Sequence, residues 1–146
     1  MQRIIAVCAV VLLLVGCSQK APLEDLSDGK CTGALADVVD KHISGQIDAL
    51  ADKDWELAHS FASDNFQANA SVDDFTFIIG TQYAMLIDNE GYQFTECDVA
   101  GSTITQEVNV SSGEQVFSLR YTLTVNGSTL GVESAVVSKV ASQIDV

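Results

Sequence analysis

Basic side chains are scarce. Seven Lys and Arg stand against 20 Asp and Glu in 146 residues, a net charge of −13. Nucleic-acid binding needs clustered Lys and Arg, so no nucleic-acid partner is expected, and anionic phospholipid would be repelled by the same surface. The acidity reads as solubility of a surface protein, ahead of a specific cationic partner. No hydrophobic run is long: Ile4 to Val15 offers about half of the roughly 20 residues that a membrane-spanning helix needs. Proline occurs once, at Pro22. No glycine-rich phosphate loop, Gly-x-Ser-x-Gly or His-Glu-x-x-His is present, so those chemistries have no carrier. His-x-His and Cys-x-x-Cys are also missing, which leaves no zinc spacing. Asp52, Asp54 and Glu56 imitate the start of a calcium loop, but Leu57 and Ser63 stand where that loop needs Gly and Glu. Neither metal nor cofactor is expected.

What is present begins with Arg3 and the apolar run that follows it, the pattern of a secretory signal. The run ends Leu14-Val15-Gly16-Cys17, which resembles the lipobox of bacterial lipoproteins. The resemblance implies a diacylglycerol thioether on Cys17, cleavage after Gly16, and attachment to a bacterial membrane on the extracytoplasmic side. The alternative is an ordinary signal peptide that contains a cysteine. Residues 17–30 are polar, hold Pro22 and show no apolar period, so they are expected to form a flexible tether. Such a coil reaches about 20 Å. Cleavage would remove Arg3 and leave six basic residues against 20 acidic ones, a net charge of −14.

Residues 31–146 suit one domain with a single core. Of the four cysteines, Cys8 would leave with the signal and Cys17 would carry lipid. Cys31 and Cys97 remain, and export would place them where disulfides persist. They are expected to pair; two free thiols are the alternative. Leu35, Val38, Val39, His42, Ile43, Ile47 and Leu50 form one helical stripe, which predicts a helix from Thr32 as cap to Ala51. Asp54 caps a second, Trp55 to Ala62. A polar connection spans Ser63 to Ala70. Ser71-Val72-Asp73-Asp74 resembles a capping box and opens a third helix to about Tyr83. Beyond Gly91 the pattern turns to strands, at Tyr92–Val99, Thr103–Val110, Gln115–Val125 and Thr129–Val140, and Asn126-Gly127 is a hairpin signal. Phe117, Leu119, Tyr121, Leu123 and Val125 share one strand face, which predicts a sheet buried on one side. The expected class is α+β: three N-terminal helices packed on a curved antiparallel four-stranded sheet.

Between Val38 and Val99 stand Gln46, Ala49 and Asp54, then Ala58, Phe61, Ala62 and Ser63, then Phe75, Tyr83 and Tyr92-Gln93-Phe94. On these residues the stretch resembles the DUF4864 family. The family is similar to the NTF2-like or cystatin-like cone, in which a long helix and two shorter ones pack into a curved sheet. The resemblance implies a pocket between long helix and sheet but brings no known activity. Its local candidates are His42, His59, Tyr83, Asp88 and Arg120. His42 reads as a core or boundary histidine held by one hydrogen bond, ahead of a general base. His59 reads as a surface residue, Tyr83 as a core aromatic and Arg120 as a solvated strand residue that could hold an anionic group. No catalytic set stands at adjacent spacing. The expected function is a lipid-anchored envelope protein whose domain binds a small apolar ligand or an envelope protein. The alternative is a small hydrolase or isomerase using His42 or Asp88 with Tyr83.

Overall fold

The computed structural model describes residues 21–142. The signal and Cys17 lie outside the described residues. A 3-10 turn, Pro22–Glu24, leads to a two-residue strand, β1 (Gly29–Lys30). Five α-helices follow: α1 (Gly33–Ala51), α2 (Trp55–Ser60), α3 (Asp64–Asn69), α4 (Val72–Gln82) and α5 (Ala84–Ile87). Four long strands complete the described residues: β2 (Gly91–Ala100), β3 (Thr103–Ser112), β4 (Gln115–Asn126) and β5 (Thr129–Ser142). All pairs are antiparallel, and the sheet is open with the order β1-β2-β3-β4-β5.

The class is α+β, but the counts differ from expectation. The described sheet has five strands rather than four, and five α-helices rather than three cover it. Ser63–Ala70, expected to be a connection, is mostly the helix α3. Ser63 caps it by accepting from the Phe66 N–H at 3.0 Å. The tether also ends earlier than expected. Lys30 pairs with Asp98 and Gly29 with Val99, the Asp28 carboxylate accepts from the Gly101 N–H at 2.8 Å, and Leu23 and Leu26 pack against the core. Leu26, three residues before β1, and Leu23, six before it, help to hold this segment down.

Helix α1 forms where the stripe predicts. Thr32 caps it, accepting from the Leu35 N–H at 3.3 Å. Leu35, Val39, Ile43, Ile47 and Leu50 are buried on the face toward the sheet, each contributing roughly 1.5–3 kcal/mol when fully removed from water. Opposite them lie Ile104, Val108 and Val110 of β3 and Leu119, Tyr121 and Leu123 of β4. Register shifts between Phe94 and Cys97, and after Ser118 and Thr122, mark bulges of the kind that bend strands. The last hairpin turns one position later than Asn126-Gly127 implies: Asn126 pairs with Thr129, and Gly127 alone takes positive φ, 63°.

The capping box at Ser71 is complete. The Ser71 hydroxyl accepts from the Asp74 N–H at 3.1 Å, and the Asp74 carboxylate accepts from the Ser71 N–H at 3.1 Å. Ser71→Ala should lower stability by about 1 kcal/mol, read as a shift of the urea midpoint at constant slope. A midpoint equal to that of the wild type would mean that α4 is held by packing alone.

Candidate functional site

The side chains of α1, α3 and α4 do not completely fill the space over the sheet. Between them lies a half-open cavity of about 160 Å³. Gln46 and Leu50 of α1, Phe75 and Ile79 of α4, and Tyr121 of β4 form its inner part. Phe66 of α3, Tyr83, Leu86 and Val132 to Ala135 of β5 also line it. The lining is mainly apolar. Ala135, cross-strand partner of Tyr121, supplies little bulk next to a large ring.

The polar groups around the cavity are few and mostly committed. Gln46 is buried and donates through Nε2 to the Ala58 carbonyl at 3.2 Å, tying α1 to α2. The Tyr83 hydroxyl donates to the Ala135 carbonyl at 2.5 Å. Glu133 accepts from the Ser63 hydroxyl and from Asn65 Nδ2, the latter at 2.6 Å. Tyr121 differs: its hydroxyl is buried with no protein partner. Burial above all, with smaller effects of Tyr83 and Tyr92, pushes its phenol far above the usual range. The group is therefore a protonated donor at any ordinary pH.

The residues singled out from sequence do not meet in this cavity. Tyr83 lines it. His42 lines a separate shallow groove with Lys41, Ser44, Asp48 and Phe61. Arg120 is exposed on the other face of the sheet, where its Nε donates to the Glu107 carboxylate at 2.5 Å. Asp88 is exposed after α5. No geometry here joins His42 or Asp88 to Tyr83. His59, expected at the surface, is buried. Its Nε2 lies 2.8 Å from the Ala70 carbonyl, and its ring meets Phe75 edge-on at 5.5 Å. The unexpected helix α3 brings Phe66 over it and accounts for the difference.

His42 behaves as a boundary histidine. Its Nε2 stands 2.8 Å from the Phe61 carbonyl, and its ring meets Phe61 edge-on at 5.1 Å. Desolvation lowers its pKa, and the bond to the Phe61 carbonyl opposes that more weakly. A lowered folded-state pKa means that the unfolded chain binds the proton first. The neutral ring's contribution is therefore whole above the unfolded value near 6.5 and is lost as pH falls through the lowered one. The stability advantage of wild type over His42→Gln should shrink between pH 7 and pH 5, as followed by urea unfolding. A constant difference over that range would contradict the assignment.

Among the described residues no group of three His, Cys, Asp or Glu side chains stands together as a metal site, and no helix is long and apolar enough to cross a membrane. Fold and cavity together define a small α+β domain with an apolar recess between its longest helix and an open antiparallel sheet. The chain belongs to the DUF4864 family, a domain of unknown function whose model matches residues 34–142. No curated protein and no solved structure matches it.

Several cavity residues escaped sequence reasoning as site residues. Tyr121 was legible only as a member of the buried face of its strand. Phe66 was hidden in a segment read as polar, although Ser63-Asp64 carries the signal of a capped helix start. Glu133 carried no signal of its own.

Proposed function

We propose that this protein is a lipid-anchored component of a bacterial cell envelope, held by acylated Cys17 on the extracytoplasmic side, whose domain is a binding module for a small apolar ligand. In this reading the domain is an NTF2-like or cystatin-like cone, and the cavity between α1 and the sheet is its binding pocket. The observation that carries the reading is the cavity itself. An apolar cavity of about 150 Å³ in another protein stays dry and binds benzene, and the recess here is of that size, about 160 Å³, with a mainly apolar lining. The Cys31–Cys97 disulfide supports the placement, since such bonds persist in oxidising compartments.

Two experiments test the two halves. Titrating the protein with ethylbenzene should shift the NMR signals of Ile79, Leu86 and Ala135, and Ala135→Phe, which fills the recess, should abolish those shifts while the protein stays folded. Failure of ethylbenzene and of similar single-ring compounds to bind would overturn the binding role. Intact mass of the native protein should show a chain that begins at Cys17 and carries acyl groups. An unacylated chain that still begins at Met1 would overturn the anchor.

A further inference from the structure

We infer that the cavity selects a neutral, single-ring-sized ligand bearing a hydrogen-bond acceptor, such as a carbonyl or ether oxygen, and that the Tyr121 hydroxyl is the group that reads it. This rests on the binding role proposed above and specifies the ligand. Three side-chain polar atoms among the described residues are buried without a partner: Asp40 Oδ1, Gln106 Oε1 and the Tyr121 hydroxyl. Of the three residues, only Tyr121 lines the cavity. A buried donor left unpaired costs roughly 1–3 kcal/mol, and most such groups in proteins are satisfied. An acceptor brought in by a ligand would relieve that cost. Tyr83 is committed to Ala135 and Gln46 Nε2 is tied to Ala58, and Ser134, the other hydroxyl of the lining, is exposed; the Tyr121 hydroxyl is the buried hydroxyl of the lining left without an acceptor.

The remaining groups set the charge of the ligand. Glu133 lines the cavity, and no Lys, Arg or His does. A carboxylate ligand would have to desolvate without a counter-charge, beside one of like sign, which is strongly unfavourable. Size follows from the volume, which holds about one ring.

The test uses three ligands of one size: acetophenone, ethylbenzene and benzoate, with wild type and Tyr121→Phe. Tyr→Phe keeps the ring, so the packing of β4 stays intact. Acetophenone affinity, measured relative to ethylbenzene in the same protein, should fall about tenfold on removal of the hydroxyl, the worth of one hydrogen bond in a buried site. Ethylbenzene should bind both proteins alike, and benzoate should bind neither. If ethylbenzene binds but the acetophenone ratio is the same in both proteins, the selectivity inference fails while the binding role stands. The hydroxyl then belongs to Gln106 or to a water. Benzoate binding as tightly as acetophenone would also overturn it. If none of the three binds, both readings fall.

Discussion

Replacing both Cys31 and Cys97 with alanine should lower the unfolding free energy by about 4 kcal/mol. The bond joins residues 66 apart in sequence, with Cα atoms 5.4 Å from one another. Closing a loop of that length removes much of the freedom of the unfolded chain, and the gain grows with the logarithm of loop length. The folded state needs little from the bond in return. The Cys31 N–H already donates to the Cys97 carbonyl at 2.9 Å, and Lys30 pairs with Asp98 beside it. A small domain has about 5–15 kcal/mol in all, so the variant should be folded but close to its limit. Urea unfolding of the variant and of reduced wild type should agree. A loss below about 1 kcal/mol would mean that the unfolded chain is already restrained between these positions.

Gly131→Ala should cost roughly 2–3 kcal/mol, the upper part of the usual range for overpacking. A methyl group at Gly131 would stand 2.8 Å from the Ser63 nitrogen and closer still to the Ser63 Cα. Neither partner can step back cheaply. The Ser63 N–H donates to the Val132 carbonyl at 2.8 Å, and the Val132 N–H donates to the Phe61 carbonyl at 2.9 Å, so two backbone bonds clamp the segment before α3 onto the start of β5. The substitution acts on backbone, not on a side chain that can turn away. Because Ala62 and Val132 both line the cavity, ethylbenzene affinity should fall together with stability. A Gly131→Ala protein as stable as wild type would show that β5 and the Ser63 segment separate without cost.

Sequence carried the long elements well and the short ones poorly, for a physical reason. Helix α1 buries a continuous stripe over its whole length and has Thr32 to start it, so pattern and cap agree. β4 alternates without a break, and its buried face followed directly. By contrast α3 and α5 are six and four residues long. Isolated helices that short are unstable in water and exist because neighbours hold them; Ser63 and Phe66 do so for α3, through contacts to β5 and His59. The same missing element hid the burial of His59 and the role of Phe66. The pairing of Cys31 with Cys97 could be argued from compartment and elimination, but its feasibility depended on how far apart two backbones lie. The family resemblance implied a pocket between long helix and sheet, but the residues that line it were the least legible feature. A recess is made by what neighbouring side chains fail to fill, and Ala135 beside Tyr121 creates it only once the two strands are in register.

The place where the chain enters the domain has a mechanical consequence. A pull applied to the residues before Gly29 meets the covalent link at Cys31 before it can reach the first turn of α1. The load then passes sideways into β2 and from there into the rest of the sheet, where many backbone bonds share it. Without that link the same tension, once the short pairing of β1 with β2 had parted, would act on Thr32 and peel the long helix from its N-terminal end, one turn at a time.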